Sequence, residues 1–308
     1  MKRVPTSETL DRFRRALVVG NPVTIKLAQK ELVRFVPKMA PVDLVNCCAV
    51  ATGADAKRHG IDAVSLVEIV LKESQKREYE KFNGRDFAVL LTALGKLPGD
   101  HSAILKSVMS RIVPKEMRTT DMCMCLFALT KLGSLPAELF YSGMRELDNR
   151  IEQLNKINLT QLLFVVAKNT SLIRALKESE QQAVRHTFER ILQRITASVD
   201  SFDNAAISFA LYTASEASHS LRLTEQSPSR TAFFQTAAEE VLRRTDLSPK
   251  DVVSCVRALG RVGMLDQQIV QQKLVPILDS LRLSEEQIKG LRTALESIQY
   301  PLPPVLAS

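Results

Sequence analysis

The sequence predicts an all-α protein, an αα-hairpin solenoid that forms a right-handed superhelix of about seven irregular repeats. A short segment recurs three times, as LLTALGKLPG, LFALTKLGSLP and CVRALGRVGML. Gly contributes only 11 of the 308 residues. Such a composition favours helices, because few residues carry the high helix cost of Gly. No sustained run alternates apolar and polar side chains, as a half-buried strand would.

Composition and charge indicate a folded protein that can attract a polyanion. Hydrophobic residues make up 45% of the chain and charged residues 25%, which is typical of a globular protein. Lys and Arg outnumber Asp and Glu by 42 to 34, a formal net charge of +8. This excess is compatible with a phosphate-bearing partner without requiring one. No apolar stretch reaches the ~18 residues that a bilayer span needs.

The cysteine pattern favours reduced, buried thiols over a disulfide framework or a metal site. The five cysteines form no C-x-x-C pair, and the four histidines lie far from them in sequence. A zinc site would need ligands at characteristic spacings. We therefore expect no metal and a reducing compartment, with five thiols in the core: Cys47, Cys48, Cys123, Cys125 and Cys255.

Each repeat is recognised by an anchor residue ahead of an apolar helical stretch. The anchors are Asp43, Asp86, Asp121, Thr160, Asp203, Asp251 and Gln287. Four residues after them stand Cys47, Leu90, Cys125, Phe164, Ile207, Cys255 and Leu291. Seven residues after them stand Val50, Ala93, Ala128, Ala167, Ala210, Ala258 and Ala294. This spacing places both columns on one helix face, where small residues let a neighbouring helix pack closely.

The anchors are interpreted as helix caps rather than as catalytic acids. The segment from Ser248 to Asp251 places a capping Ser before a first-turn Pro and an acid. Ser284 and Gln287 have the spacing of a capping box. Side chains at these positions satisfy free amides, and acids among them favour the positive end of the helix dipole.

A turn and a second amphipathic helix complete each repeat. Four glycines near the ends of first helices are expected to serve as left-handed caps: Gly95, Gly133, Gly260 and Gly263. Successive anchors are 35 residues apart between Asp86 and Asp121. They are 48 apart between Asp203 and Asp251. Such irregular lengths are typical of HEAT-like arrays and argue against a regular pentatricopeptide array.

The chain is expected to have three regions. Residues 1–39 form an N-terminal helical region, 40–300 the helical-repeat solenoid and 301–308 a Pro-rich C-terminal tail. The first region is a possible targeting segment, because its early cations and amphipathic spacing resemble an organelle transit peptide. Glu8 and Asp11 instead fit an ordinary first helix of the array.

A partial column of cations stands ten residues after the anchors, as Lys96, Lys131 and Arg261. A cation at a helix C-terminus stabilises the dipole by about 0.3–1 kcal/mol without any ligand. Stacked repeats would alternatively present these cations as a ladder along an RNA phosphate backbone. Four further cations are candidates to extend the ladder: Arg257, Arg292, Lys57 and Arg58.

Reading of RNA bases would also need polar or aromatic side chains on the same face. Asn46, Thr92 and Ser254 are polar candidates. Aromatic residues make up only 5% of the chain. This scarcity argues against a stacking platform of the kind that binds single strands.

The segments ALGKLPG, ALTKLGSLP and ALGRVGML resemble the helical repeats of organellar RNA-binding proteins. The similar families are the octotricopeptide and heptatricopeptide repeat proteins and the helical region of the FAST-kinase-domain family. The resemblance covers about residues 40–300. It implies an octotricopeptide-like solenoid that binds RNA in the mitochondrial matrix, with a cytoplasmic location as the alternative. Those families often end in a nuclease-like RAP domain, whereas no strand-rich module ends this sequence.

The sequence therefore predicts a non-catalytic protein that binds single-stranded organellar RNA or stabilises a ribonucleoprotein, such as an RNA-editing or mitoribosomal assembly. Its expected partners are that RNA and other protein subunits, with no membrane span, cofactor or small-molecule substrate. The alternative is a HEAT-like scaffold subunit that contacts only proteins. No P-loop, GxGxxG or G-x-S-x-G motif indicates an enzyme. If cations and polar groups converge on one groove, RNA is favoured, whereas an apolar or mixed-charge groove favours the scaffold.

Overall fold

The computed structural model describes residues 6–77, 79, 81–221 and 227–307, and these residues are helical or lie in turns, with no strand among them. The all-α prediction is confirmed. The chain divides into two compact units, Met1–Leu139 and Phe140–Ser308, hereafter unit 1 and unit 2. Within the described ranges, no helix is long and apolar enough to cross a membrane.

Unit 1 contains short and medium-length helices. They are α1 (Thr6–Val19), α2 (Pro22–Phe35), α3 (Pro41–Ala51), α4 (Ala54–Arg58), α5 (Ala63–Lys76), α6 (Gly84–Leu94), α7 (Ser102–Met109) and α8 (Thr119–Lys131). Helix α9 (Ala137–Asn149) follows and runs into unit 2. In unit 1, α1 packs on α2 and α3, while α3 contacts α5 and α6 and α6 contacts α8.

Unit 2 is also built from helices. They are α10 (Lys156–Lys168), α11 (Thr170–Ala175), α12 (Glu178–Thr196), α13 (Asn204–Ser220), α14 (Pro228–Arg243), α15 (Pro249–Arg261), α16 (Gln267–Ile269), α17 (Glu285–Ser297) and α18 (Pro304–Ala307). A π-helical turn and a 3₁₀ helix connect α16 to α17. Helices α10, α13, α15 and α17 pack in succession, and α12 packs on α14. Within each unit, the successive helices that carry the predicted anchors therefore contact one another.

The predicted caps are present at the starts of several first helices. Ser248 accepts a hydrogen bond from the backbone N–H of Asp251, and Ser284 forms a capping box with Gln287. Asn83 and Asp86 form another complete capping box. In all three helices the anchor is the third helical residue. The side chains of Asp86 and Gln287 accept from the backbone N–H of the N-cap residue, whereas the Asp251 carboxylate accepts from the hydroxyl of Ser248.

Two of the predicted anchors do not occupy the third helical position of the others, although Asp203 caps its helix as predicted. Thr160 is the fifth residue of α10, and the capping box is formed by Asn155 with Asn158. Asp203 precedes α13 as its N-cap and accepts a hydrogen bond from Ala206 N. The third residues of these two helices are therefore Asn158 and Ala206, two places before and three places after the respective anchors.

The corrected anchors define a buried face more consistently than the predicted ones. Four residues past the third residue of each first helix, the side chains are Cys47, Leu90, Cys125, Leu162, Ala210, Cys255 and Leu291, all buried. The predicted Phe164 is half-buried and leaves this column. The column seven residues past the third residue is three residues, or about one helical turn, beyond this column, so it lies on the same face. It is buried as well except at Val50.

Two arginines form long-range hydrogen bonds over a sequence distance close to the predicted repeat length. Arg77 donates to the carbonyls of Met39 at 2.6 Å and Pro37 at 2.7 Å. Arg190 donates to Asp148 O at 3.0 Å. These bonds span 38 to 42 residues of sequence, which is within the range of the predicted repeat lengths. Each guanidinium therefore binds backbone carbonyls that lie about one predicted repeat length earlier in the chain.

The predicted glycine caps are only half right. Gly133 and Gly263 have φ of 64° and 71°, the left-handed conformation that favours Gly. Gly95 has a right-handed φ of −64°. Gly260 lies inside α15, where its missing side chain permits close approach to α17.

All five cysteines are free and buried with no exposed surface, as predicted. Desolvation raises the pKa of Cys47 to about 12 and that of Cys255 to about 12. We expect no thiol to react with a disulfide reagent at pH 8 in the native protein, because thiolate is the reactive form. All five should react in denaturant. Rapid labelling of any thiol without unfolding would contradict this assignment.

Candidate nucleic-acid interface

Three columns of side chains remain partly open on the first helices, at three, six and ten residues past the third helical residue. In unit 1 they are Asn46, Val89 and Met124, then Ala49, Thr92 and Phe127, then Gly53, Lys96 and Lys131. In unit 2 they are Gln161, Phe209, Ser254 and Gly290, then Phe164, Tyr212, Arg257 and Thr293, then Lys168, Glu216, Arg261 and Ser297. We call these sets the open faces of units 1 and 2.

Helix geometry separates the open faces from the core. Positions three, six and ten follow one another by three or four residues, so they form a stripe along the helix. The buried positions four and seven form the adjacent stripe. All members of the open faces are half-buried or exposed. The same sequence periodicity that builds the core therefore also aligns the side chains available to a ligand.

Aromatic rings gather on the open face of unit 2. Phe164 of α10 and Phe209 of α13 stack with ring centroids 6.0 Å apart and planes inclined by 21°. Tyr212 lies one turn after Phe209 on α13 and is also half-buried. Three aromatic rings of unit 2 thus lie where neighbouring first helices meet.

Two arginines of α15 flank the Tyr212 ring. The guanidinium carbon of Arg261 lies 5.2 Å from the ring centroid, and that of Arg257 lies 5.8 Å from it. Both distances are within the range of cation–π attraction. Arg261 also donates from Nη1 to Ser215 Oγ at 3.0 Å and remains exposed. The arrangement holds an aromatic ring and two positive charges together.

Arg257 is positioned by its neighbours on α17. Its Nη2 pairs with Glu286 at 2.9 Å, and the Arg257 side chain is only 13% exposed. A Cβ added at Gly290 would overlap Arg257 Nε and lie 3.2 Å from its Cδ and Cζ. The glycine therefore provides the space that the guanidinium occupies beside Tyr212.

Charge on the open face of unit 2 is mixed. Lys168 pairs with Glu216 at 3.0 Å, so α10 and α13 are linked by an ion pair. Arg257 is likewise balanced by Glu286. Arg261 forms no ion pair with a carboxylate of the described residues, and it is the cation most available to an external phosphate.

Unit 1 repeats part of this arrangement. Lys131, the last residue of α8, places its Nζ 4.5 Å from the centroid of the Phe127 ring. Lys96 follows α6 and is exposed, with no ion pair to a described carboxylate. Lys96, Lys131 and Arg261, the three predicted ladder cations, therefore all lie on an open face.

The remaining predicted cations lie elsewhere. Arg292 points its Nε at the carbonyl of Leu306, which holds the C-terminal tail on α17. Lys57 and Arg58 are exposed at the end of the short helix α4, and Arg58 lies 3.5 Å from Asp55. These three cations do not belong to the open faces.

The polar candidates for base reading do lie on the open faces, but the two hydroxyl groups among them already donate hydrogen bonds to backbone carbonyls. Thr92 Oγ1 donates to Ala88 O at 2.7 Å, and Ser254 Oγ donates to Lys250 O at 3.0 Å. Asn46 is half-buried on α3. Among the described residues, no group of three His, Cys, Asp or Glu side chains is arranged to bind a metal.

Neither family models nor curated proteins match the chain. The function therefore has to be argued from the open faces themselves.

Sequence reasoning missed Lys168 and the aromatic column because of the two misplaced anchors. With Asn158 as the third residue, Lys168 falls in the cation column and Phe164 lies six residues past Asn158. With Ala206, Tyr212 occupies the same place on α13. The signal was present: the Asn155-x-x-Asn158 spacing is that of a capping box, and Asp203 is a favoured N-cap.

Proposed function

We propose that the protein binds single-stranded RNA through the open face of unit 2, without catalysing a reaction. The arrangement that carries the proposal is Tyr212 flanked by Arg257 and Arg261 beside the stacked Phe164 and Phe209. Unstacked bases pack on aromatic rings and on guanidinium planes, while Arg side chains bind phosphate oxygens. One surface therefore offers both kinds of contact that a single strand needs.

Partial burial suits these rings to binding. Tyr212, Phe164 and Phe209 are held by packing on neighbouring helices and still keep exposed area. A held ring loses little rotamer freedom when a base stacks on it, so the stacking energy is largely retained on binding. The available charge on Arg261 would place a phosphate next to the stacked base.

The finer architecture and setting belong to the same proposal. Packing of α10, α13, α15 and α17 in succession supports a HEAT-like or octotricopeptide-like solenoid of about seven repeats. The resemblance to organellar repeat families makes a mitochondrial RNA or ribonucleoprotein the first setting to test. In that setting the protein is a binding component rather than the catalytic one.

A protein scaffold is the second candidate, and the ion pairs favour it. Glu216 and Glu286 neutralise Lys168 and Arg257 on the open face of unit 2. A mixed-charge face with aromatic rings also suits a partner peptide, because aromatic and Arg side chains commonly anchor protein interfaces. The two candidates differ in how binding responds to salt.

Direct binding to fluorescent oligouridine and oligoadenosine across a salt series tests the proposal. We expect affinity to fall steeply with salt, because bound phosphates release counterions. Tyr212→Ala should weaken binding by about tenfold through lost stacking. Arg261→Glu should weaken RNA binding and reduce the slope of log affinity against log salt concentration by about one or more. Gly290→Ala should also weaken it by displacing Arg257 while keeping its charge.

Matched variants separate stacking and charge from misfolding. Tyr212→Phe retains the ring and should bind like the wild type, and Arg282→Glu reverses an exposed charge outside the open face. Thermal unfolding checks that each variant is folded. The proposal would be rejected if the wild type did not bind RNA, or if Tyr212→Ala and Arg261→Glu both bound RNA as tightly as the wild type. The protein scaffold would then be the function to pursue.

A further inference from the structure

The tip of the α1–α2 hairpin in unit 1 exposes a cluster of aliphatic side chains. Val18 and Val19 end α1, and Val23 and Leu27 lie in the first two turns of α2. Their exposed fractions are 77%, 74%, 69% and 63%. They include the four most exposed large hydrophobic side chains among the described residues. By contrast, Leu10, Phe13 and Leu17 of α1 are buried in the core of the unit.

Cations surround this apolar tip. Residues 12–30 include Arg12, Arg14, Arg15, Lys26 and Lys30 and contain no Asp or Glu. Arg12 and Arg14 pair with acids farther from the turn, whereas Arg15, Lys26 and Lys30 form no ion pair with a described carboxylate. His59, just after α4, lies next to Gly20 at the turn, so the exposed Lys57 and Arg58 are close to this end of the hairpin.

Three backbone N–H groups at the turn donate hydrogen bonds within the hairpin. Asn21 Oδ1 accepts hydrogen bonds from Val23 N at 3.0 Å and Thr24 N at 3.2 Å. Gly20 N donates to Ala16 O at 3.0 Å, and Gly20 adopts φ of 76°. These donors need no new partner when the tip leaves water, which lowers the cost of moving it into an apolar medium.

We propose that this tip inserts into the surface of a membrane that contains anionic lipids. The aliphatic side chains would enter the boundary between headgroups and acyl chains. The cations stand about one turn, ~5 Å, behind them and would meet the headgroup charges. Interfacial segments commonly bury their apolar side to a depth of about 5–10 Å. The association is with the surface and is independent of the RNA proposal for unit 2.

The distribution of the four side chains favours a lipid over a protein helix. A groove of about 370 Å³ between α1 and α2 is lined by Val19 and Leu27 together with Arg12, Arg15 and Glu31. A helix seated in that groove would leave Val18 and Val23 uncovered, because neither lines it. A fluid apolar medium covers all sides of the tip. A second copy of the hairpin would also bring two acid-free basic segments together, which opposes pairing.

Sedimentation of the full chain with lipid vesicles tests this inference. The probes are vesicles of phosphatidylcholine alone and of phosphatidylcholine with phosphatidylserine in a three-to-one ratio. We expect binding to the anionic vesicles that weakens with salt, and little binding to the neutral ones. Val18→Ser with Val23→Ser should reduce binding to anionic vesicles by about tenfold. Lys26→Glu with Lys30→Glu should also reduce it.

The control pair is Val42→Ser with Val113→Ser, which changes two exposed valines elsewhere in unit 1 and should bind like the wild type. Light scattering reports the oligomeric state of each variant. Absent binding, or undiminished binding by the Val18 and Val23 variant, would overturn the inference. If the wild type were a dimer and only the Val18 and Val23 variant were a monomer, the tip would be a self-association surface instead. If the Lys26 and Lys30 variant lost both vesicle and oligouridine binding while the Val18 and Val23 variant kept both, the hairpin would be a general polyanion-binding surface.

Discussion

Replacing Arg244 by Met should lower the free energy of unfolding by about 3 kcal/mol, because the change strips a buried carboxylate of one of its two cations. Arg244 Nε donates to Glu240 Oε1 at 2.8 Å, and the two side chains are 11% and 8% exposed. Arg244 also donates to Phe202 O at 2.6 Å and to Asn204 Oδ1 at 2.9 Å. The variant therefore loses contacts that link α14 to the start of α13.

The loss should depend on pH. Desolvation would raise the pKa of Glu240, but hydrogen bonds from Arg243 and Arg244 outweigh it and lower the pKa overall. A lowered folded-state pKa contributes stability above the unfolded-state value, about 4.3, and that stability disappears as pH falls through the folded-state pKa. Urea unfolding at several pH values should show that the difference in unfolding free energy between wild type and Arg244→Met becomes smaller below pH about 4.

Arg243 provides a matched control for the same carboxylate. It also donates to both oxygens of Glu240, but its side chain is 68% exposed. Exposed ion pairs contribute about 0–1 kcal/mol, so Arg243→Met should cost much less than Arg244→Met. Equal losses in the two variants would show that burial of Arg244 and its bonds to Phe202 and Asn204 contribute little.

Substituting Gly260 by Ala should destabilise unit 2 by about 1–3 kcal/mol, the usual cost of overpacking. The added Cβ would overlap the Cβ of Ala294 and lie 2.7 Å from its Cα, so α15 and α17 would have to separate. Replacing a helical Gly by Ala alone would stabilise by about 0.5–1 kcal/mol. A measured loss therefore reports the close approach of the two helices.

A second substitution tests whether Ala294 is the partner. Ala294→Gly removes the overlapping atom, so the Gly260→Ala, Ala294→Gly pair should recover part of the stability lost in the single variant. Gly95→Ala is the control, because its new Cβ would be 3.6 Å from the nearest atom. Thermal unfolding of the four variants measures the coupling. Additive effects in the double variant would place the strain elsewhere.

The aromatic face explains how a chain with few aromatic residues can offer a stacking surface. Phe164, Phe209 and Tyr212 are dispersed over almost 50 residues of sequence and come together only because α10 packs on α13. The low aromatic content argued against a stacking platform. Composition measures how many rings exist, whereas packing decides how many share a face.

Local patterns determined most of the helical structure. The caps at Asn83, Ser248 and Ser284 and the buried positions four residues past the anchors follow from hydrogen bonding and periodicity within one helix. Such features depend on neighbours only a few residues away, so the sequence expresses them directly. The small residue at Ala294 was likewise expected at a close helix contact, and it lies against Gly260.

Tertiary structure decided which charges are available and which residues share a surface. The cation columns could be aligned from sequence, but the pairing of Arg257 with Glu286 and of Lys168 with Glu216 joins side chains 29 and 48 residues apart. The sequence by itself therefore determined an all-helical protein with defined buried faces. Only packing between helices decided where aromatic rings, unpaired cations and exposed aliphatic side chains meet, because those meetings depend on distances that no local pattern encodes.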